Sequence, residues 1–314
     1  MTCINPRDDP DVLLASSLRT GGQTMKKIML ATDFSERSDR ALRRAVILSR
    51  AHDAVLDIVH VVDDDRPRRI VDHEVNDARQ LLSELTRSLN DLDGVSCSTQ
   101  IVLDDPFAGI VKEVAKASPD LLVIGPHRRQ ILRDVFVGTT AERTIRAVSC
   151  PVLMVNGPPV GPWRHVLQTT DLSETAEKAL KRFTGLGLGA GGRSSVLTVF
   201  DAPALRLAMS DSIGKAGREN YLNDLRAEAL QSLAAFTARL GIGPAEKVVR
   251  PEETTVANEI LKAALELNAD LIVVATQGKG AVARMVLGSV AQQVLKDAQC
   301  DVLAMPPQSV SLEM

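Results

Sequence analysis

Residues 138–154 read GTTAERTIRAVSCPVLM, and residues 288–304 read GSVAQQVLKDAQCDVLA. The two stretches share a glycine, a small hydroxyl residue, a helical run, a cysteine and a short apolar run, and they lie 150 residues apart. Upstream, DLLVIG at residues 120–125 and DLIVVA at residues 270–275 keep the same spacing. A spacing that stays constant over two separate elements indicates an internal repeat. The chain therefore contains two copies of one domain.

A second shared motif marks the start of each copy. Residues 27–40 read KIMLATDFSERSDR and residues 165–178 read HVLQTTDLSETAEK, which share T-D-[FL]-S-E after an apolar run. At this motif the copies are 138 residues apart, so the second copy contains a net insertion of 12 residues. We expect the insertion in the glycine-rich stretch at residues 184–192 or in residues 201–217.

The alternation of short apolar runs with helical patterns predicts the fold of each copy. Between the runs, apolar residues recur three and four apart, as expected of helices with one buried face. Runs such as LLVI and LIVV show no alternation, which is typical of parallel strands covered on both faces. The strands expected in the first copy are residues 27–32, 55–62, 95–103, 121–125 and 151–155. The sequence therefore predicts an α/β protein of two tandem, doubly wound, five-stranded parallel-sheet domains with a Rossmann-like layout.

The domain boundaries follow from composition. Residues 1–24 are expected to form a disordered tail, and Met25 is an alternative start of the protein. The stretch NGPPVGP at residues 156–162 is too rich in proline and glycine for a helix or a central strand. We therefore predict a first domain at residues 25–157 and a second at residues 158–314. The last strand of each domain resembles an edge strand that needs covering, which favours packing of the two domains as a pseudo-dimer.

Composition bears on location and partners. The chain is 45% apolar and 25% charged, with a net charge of −3. This balance gives no sign of a basic surface, so binding to nucleic acid or to a membrane is not predicted. Its cysteines, Cys3, Cys97, Cys150 and Cys300, have no paired spacing, which favours reduced thiols and a cytoplasmic location. The spacing of histidines and cysteines predicts no metal site.

Polar residues follow the first predicted strand of each copy, at Thr32-Asp33 and Thr170-Asp171. In an open parallel sheet, ligands bind beyond the carboxyl ends of the strands, and a carboxylate there can accept hydrogen bonds from a ribose. The pattern Asp-x-x-Glu in both copies also fits a local role, in which the aspartate caps the next helix. The two roles are compatible, and the sequence leaves both open.

The last helix of each copy follows a glycine. Residues Thr139–Glu142 after Gly138, and Ser289–Gln292 after Gly288, both fit a capping box with the hydroxyl residue as the cap. A helix start behind glycine presents free N–H groups and the positive end of the helix dipole, which favours phosphate. Ordinary capping is the alternative for a single box, but its repetition at the same place in both copies favours a phosphate site.

These residues match a known motif. Residues 125–128 (GPHR), nine further residues and then Gly138-Thr139 resemble G-x-x-G-x9-G-[S/T] of the universal stress protein family, as do residues 275–278 (ATQG), nine further residues and then Gly288-Ser289. The resemblance extends from Met25 to about Pro306. It implies a nucleotide-binding, Rossmann-like domain, ATP as cofactor with or without Mg²⁺, and last strands that pair across a two-fold axis.

The resemblance also implies which residues bind the nucleotide. In the second copy they are Thr170, Asp171, Val199, Ala275, Gly278, Gly288, Ser289 and Val290. In the first copy they are Thr32, Asp33, Val61, Gly125, Arg128, Gly138, Thr139 and Thr140. Each copy departs once from the motif: Arg128 replaces the second glycine and Ala275 the first. An arginine can block the close backbone approach that glycine permits, or it can itself pair with phosphate. Alanine is the milder change unless the residue needs a positive φ, so the second copy is the stronger candidate.

Three functions are compatible with these motifs. The first is a stress-response regulator that binds an adenine nucleotide and an unidentified protein partner, as an intramolecular pseudo-dimer or a homodimer. The second is a slow ATPase or nucleotide-transferring enzyme, which is disfavoured because no residue is placed as a general base; no catalytic residue is predicted. The third is a nucleotide-free interaction scaffold. Residues 187–192 match G-x-G-x-x-G, but they follow a predicted helix and precede a strand, so they predict only a loop.

Overall fold

The computed structural model describes residues 25–126, 140–203, 215–243, 245–278 and 287–307. The first domain begins with strand β1 (Lys27–Thr32), helix α1 (Glu36–His52), strand β2 (Val55–Val62) and helix α2 (Arg68–Ser88), which a π-helical turn (Leu89–Asp93) continues. Strand β3 (Cys97–Leu103), helix α3 (Pro106–Ala117), strand β4 (Leu121–Ile124), helix α4 (Thr140–Ala147) and strand β5 (Val152–Met154) complete it. The predicted strands are confirmed, with ends that differ by one or two residues.

The second domain repeats this order. It consists of β6 (His165–Thr169), α5 (Glu174–Gly185), β7 (Arg193–Phe200), α6 (Lys215–Leu240), β8 (Glu246–Pro251), α7 (Val256–Glu266), β9 (Leu271–Ala275), α8 (Ser289–Asp297) and β10 (Asp301–Met305). Residues 187–192 lie between α5 and β7, so they form a loop before a strand, as predicted. Gly187, Gly189 and Gly191 have positive φ angles there, which favours glycine at each of the three positions.

One ten-stranded sheet runs through both domains, in the order β3-β2-β1-β4-β5-β10-β9-β6-β7-β8. Within each domain the strands are parallel, and β1 and β6 each lie between strands reached in opposite directions, which is the doubly wound arrangement. Strands β5 and β10 pair antiparallel, with Leu153 opposite Leu303. The prediction of two tandem five-stranded domains packed as a pseudo-dimer is confirmed.

The core follows from the apolar strands. Strands β4, β5 and β10 are buried along their whole length, and helices cover both faces of the sheet. Two apolar clusters result, one on each face, and each contains residues of both domains. The two domains therefore share both cores. Among the described residues, no helix is long and apolar enough to cross a membrane, and no group of three metal-binding side chains forms a site.

A buried ion pair joins the domains beside the seam between β5 and β10. Nε of Arg44, on α1, donates to Oδ2 of Asp301, on β10, at 3.0 Å. Nε1 of Trp163 donates to the same oxygen at 2.9 Å. The backbone N–H groups of Asn156 and Gly157 donate to Oδ1 at 3.1 and 3.3 Å. Asp301 thus binds the first domain and two points of the linker.

Arg44 is held from two further directions. Its guanidinium group lies over the ring of Trp163 at 4.5 Å, and Nη1 donates to the carbonyl oxygen of Gly161 at 2.6 Å. The pair is not repeated in the first domain, because the residue 150 positions before Asp301 is Pro151. The counterpart of Arg44 is Arg182, which donates to the backbone carbonyl of Ser149 at 2.9 Å instead.

The free thiols give a first testable prediction. Burial raises the pKa of Cys150 and of Cys300 to about 12. At pH 8 only about one in 10⁴ of these thiols is ionised, so we expect both to resist alkylation by iodoacetamide in the native protein. Peptide mapping after brief labelling should find them modified only when the label is added in denaturant. Rapid labelling of Cys150 in the native protein would contradict the packing described for β5.

Candidate functional site

A cavity of about 460 Å³ opens in the second domain at the carboxyl ends of its strands. It lies where β6 and β9 meet, the point at which the strand order reverses, and the N-terminus of α8 forms one side. This is where an open parallel sheet binds ligands. All eight residues that the sequence singled out in the second copy line it: Thr170, Asp171, Val199, Ala275, Gly278, Gly288, Ser289 and Val290.

The turn after β6 positions the carboxylate. Oγ1 of Thr170 accepts a hydrogen bond from the backbone N–H of Leu172 at 2.9 Å. Oδ1 of Asp171 accepts from the N–H of Ser173 at 3.0 Å and from its hydroxyl at 2.5 Å. Leu172 between them has a φ of 63°, a strained value for a leucine. The T-D-[FL]-S motif thus encodes a fixed turn that directs the aspartate to the cavity.

The aspartate does not cap the following helix, which was one of the two roles that the sequence left open. The cap is Ser173, whose side chain accepts from the N–H of Ala176 at 3.2 Å, and its first-domain counterpart is Ser35. Both serines have the extended backbone that a cap requires, and the aspartates lie two residues earlier. Asp33 and Asp171 each accept a hydrogen bond from the backbone N–H of the capping serine, at 3.0 Å in both domains.

Gly278 approaches Asp171 closely. A methyl group added at Gly278 would lie 2.8 Å from Oδ2 of Asp171, which is shorter than van der Waals contact allows. A side chain at this position would therefore push the carboxylate aside. Ala275, which replaces the first glycine of the motif, has no positive φ angle, and neither has its counterpart Gly125. The position needs no glycine for its backbone conformation, so this departure from the motif is mild, as the sequence indicated.

The other end of the cavity is the start of α8. The predicted capping box was wrong here, because Gly288 is the cap and Ser289 is the first helical residue. The N–H of Gly288 donates to the carbonyl oxygen of Thr276 at 2.8 Å, which holds Gly288 in an extended conformation before the helix. A glycine cap has no side chain to bind the first helical N–H groups. The helix start therefore presents backbone donors and the positive end of its dipole to the cavity.

The cavity also has an apolar wall, of which the sequence predicted only Val199. Leu197 and Val199 on β7 face Val256 and Ile260 on α7. Ile260 lies four residues after Val256, so both residues share a helix face, but such a face normally predicts only core packing. The signal was present in the sequence and could not be distinguished from that of an ordinary buried helix.

The first domain repeats the turn with different charges around it. Oγ1 of Thr32 accepts from the N–H of Phe34 at 3.1 Å, and Phe34 has a φ of 56°. Oδ1 of Asp33 accepts from the hydroxyl of Ser38 at 2.5 Å, and Oδ2 lies 3.9 Å from Nη2 of Arg37. Burial alone would raise the pKa of Asp33, but hydrogen bonds from Ser35 and Ser38 and the charge of Arg37 outweigh it and lower the pKa.

The residues at the positions of Arg37 and Ser38 differ in the second domain. Its counterparts of Arg37 and Ser38 are Thr175 and Ala176. The carboxylate of Asp33 is thus engaged by two side chains that the second domain lacks at these positions. The two sites therefore differ in the groups that surround the carboxylate.

The remaining first-domain candidates are placed only in part. Val61 packs against α3, where a methyl group added at Gly109 would lie 2.7 Å from Cγ1 of Val61. Gly125 packs against α1: a methyl group there would lie 3.0 Å from the carbonyl of Arg37. Thr140 is the first residue of α4. Arg128, Gly138 and Thr139 lie outside the described residues, as does the expected cap of this helix.

The geometry can be compared with known proteins. The family model described as the universal stress protein family matches residues 24–156 and again residues 162–306. A universal stress protein of Methanocaldococcus jannaschii is 29% identical over 157 residues, which cover 46% of this chain and 91% of that protein. Universal stress protein E of Escherichia coli K12 is 24% identical over 222 residues, which cover 68% of this chain and 69% of that protein.

Solved structures show the same fold. The crystal structure of a universal stress protein from Archaeoglobus fulgidus is similar to this chain, with a TM-score of 0.64 and 20% sequence identity. The match covers 89% of this chain and 98% of that one. A match over nearly the whole of both chains extends to the tandem arrangement of the two domains. At this identity the similarity concerns the fold, and the contents of the two sites must be argued from the residues themselves.

Proposed function

This chain belongs to the universal stress protein family and contains two of its domains in tandem, and from that premise we propose that it is a regulatory protein whose second domain binds ATP, with or without Mg²⁺. The observation that carries the proposal is one cavity that combines three kinds of surface. Apolar side chains line one wall, a fixed carboxylate lies at the end of β6, and backbone donors lie at the start of α8. These surfaces match, in turn, a base, a ribose and a chain of phosphates.

Each part of the nucleotide has a candidate partner. Val199 and Ile260 offer apolar contacts to adenine, and Asp171 offers acceptors to the ribose hydroxyls. The N–H groups of Ser289 and Val290 and the hydroxyl of Ser289 offer donors to phosphate oxygens. A cavity of about 460 Å³ is within the size range of sites for small ligands.

The proposal assigns the nucleotide to the second domain first. Gly278 leaves room for the carboxylate of Asp171, which accepts hydrogen bonds from Ser173. In the first domain a ribose would have to compete with Ser38 and Arg37 for the carboxylate of Asp33. The first domain then serves mainly as the partner that covers the edge of β10.

Binding rather than catalysis is the proposed activity. Among the described residues that line the cavity, Asp171 is the one carboxylate and no histidine or lysine is present. In the proposed binding mode Asp171 contacts the ribose and Ser289 the phosphates, so Asp171 would not act on the phosphates. The proposal also places the protein in the cytoplasm, where ATP and reduced thiols such as Cys97 are both found.

The test is to heat-denature freshly purified protein and identify released small molecules by chromatography. We expect ATP or ADP from the wild type and none from Gly288→Val. A methyl group at Gly288 meets only the carbonyl of Thr276, at 3.5 Å, so the fold can accept the change while the larger valine occupies the phosphate end. ATP added at 100 times its Kd should stabilise the stripped wild type by about 2.7 kcal/mol.

The controls separate binding from folding. Without nucleotide, Gly288→Val should lose only about 1 kcal/mol of stability, the typical cost of an aliphatic residue in place of a good helix cap, and should stay folded. Release of no nucleotide, together with no rise in melting temperature on adding ATP, would overturn the proposal and leave an interaction scaffold. Steady production of ADP by the pure protein would instead favour the enzyme.

A further inference from the structure

The ten-stranded sheet ends in two edge strands that differ in sequence. Strand β8 carries Glu246, Lys247, Arg250 and Pro251, and charged residues and proline are the usual means of preventing an edge from pairing with another chain. Strand β3, Cys97–Leu103, reads CSTQIVL and has neither a charge nor a proline over its seven residues. Strand β3 therefore lacks the charges and the proline that protect β8.

The pairing of β3 with β2 shows which backbone groups point outward. The N–H of Leu56 donates to the carbonyl of Ser96, and the N–H of Asp104 donates to the carbonyl of Val62. Between these bonds the strands pair in parallel register, so alternate residues bond to β2. The even-numbered residues of β3 face β2, and the odd-numbered ones direct their N–H and C=O groups to the open edge.

A groove of about 660 Å³ runs beside this edge, between β3 and α2. Its floor is the buried Leu82 together with Ile101. Among the described residues, the charged ones that line it are Arg79 and Arg87, both exposed, and none of the lining side chains is acidic. Arg79 also donates to the side chain of Asn76 on the same helix. The remaining lining residues are uncharged: Ser83, Thr86, Thr99 and Gln100. The groove is thus apolar in the middle and basic along α2.

The spacing of the two arginines matches that of an extended peptide. Eight residues on a helix correspond to about 12 Å. In a strand, residues i and i+4 lie on the same face and about 13 Å apart. An acidic residue at each of these positions would face one arginine, and residue i+2 between them would lie over Leu82 and Ile101.

We propose that the edge of β3 binds an extended segment of a partner protein as an additional strand, and that this segment carries acidic residues at i and i+4 and an apolar residue at i+2. The outward groups of Thr99 and Ile101 supply main-chain hydrogen bonds, and the groove supplies selectivity for side chains. A second copy of β3 fits less well, because Arg79 and Arg87 of one copy would face the same arginines of the other. The surface lies at the far end of the sheet from β8 and is independent of the nucleotide site.

The test uses a defined peptide probe and the full chain. The probe is a fluorescein-labelled peptide, Thr-Thr-Glu-Thr-Ile-Thr-Glu-Thr-Thr, measured by fluorescence anisotropy. The control peptide, Thr-Thr-Glu-Thr-Ile-Glu-Thr-Thr-Thr, has the same composition but places its glutamates on opposite faces of a strand. We expect the first peptide to bind at least tenfold more tightly. Equal binding of the two peptides, or no binding of either, would overturn the proposal.

Two sets of variants test the two halves of the interaction. Arg79→Glu with Arg87→Glu should weaken binding at least tenfold, whereas Arg68→Glu with Arg69→Glu, exposed in the first turn of α2, should not. Thr99→Pro removes an outward N–H and leaves the bonds to β2 in place, so it should abolish binding while the unfolding midpoint stays near the wild type. Unchanged binding by Thr99→Pro would exclude strand addition. A dimer in sedimentation that Thr99→Pro dissociates would assign the edge to a second copy instead.

Discussion

Replacing Asp301 with alanine is expected to lower the free energy of unfolding by about 3–5 kcal/mol, the range for removing one partner of a buried ion pair. The side chains of Asp301 and Arg44 are 2% and 7% exposed. Burial raises the pKa of Asp301, and Arg44 and Trp163 act in the opposite direction. Without the carboxylate, Arg44 keeps its charge in a buried site, and the indole N–H of Trp163 loses its acceptor. The cost should therefore exceed that of a lost surface pair, which is about 0–1 kcal/mol.

The measurement is equilibrium unfolding in urea, followed by circular dichroism. Asp297→Ala is the matched control, because Asp297 lies four residues earlier and is exposed. Arg44→Met combined with Asp301→Leu should recover part of the loss, since an apolar pair leaves no buried charge. If Asp301→Ala costs no more than Asp297→Ala, the pair does not hold the domains together.

Gly278→Ala is expected to weaken ATP binding at least tenfold while the free energy of unfolding changes by no more than about 1 kcal/mol. The added methyl group would lie 2.8 Å from Oδ2 of Asp171, so the carboxylate must move. A side-chain carboxylate can rotate away at little cost to the fold, but it then leaves the position proposed for the ribose. An affinity loss of tenfold corresponds to about 1.4 kcal/mol, roughly one hydrogen bond to a charged group.

Isothermal titration of nucleotide-free protein with ATP would measure this effect. Gly243→Ala is the matched control, because Gly243 is exposed, has no atom within 4 Å of an added methyl group and has no positive φ angle. Both variants lose one glycine, so they change the unfolded chain alike. If the wild type binds ATP and Gly278→Ala binds it equally well, Asp171 is not the ribose acceptor.

Much of the fold was predictable because the evidence for it is local and occurs twice. The runs LLVI and LIVV predicted buried parallel strands, and β4 and β9 are such strands. The shared T-D-[FL]-S-E motif located the turn after β1 and β6. The pairing of β5 with β10 followed from two apolar strands that each lacked a second neighbour. In each case the same pattern in both copies distinguished a structural signal from chance.

What the sequence did not predict depends on contacts between distant residues. Asp301 and Arg44 are 257 positions apart, and neither the repeat nor any motif connects them, because the first copy has Pro151 in place of Asp301. The cap at Gly288 depends on a bond to Thr276, across residues that the capping-box pattern does not include. The local pattern favoured Ser289 because a hydroxyl is normally the better cap.

The seam between β5 and β10 has a consequence for synthesis of the protein. Val152 to Met154 are made first, and their partners Val302 to Ala304 are made about 150 residues later. At 5–20 residues per second, the ribosome needs roughly 8–30 s to supply them. For that interval the nascent first domain displays the backbone of an apolar edge strand, the kind of surface that pairs with other unfinished chains. Translation speed thus sets the length of this interval. The interval ends only when β10 has left the ribosome and can pair with β5.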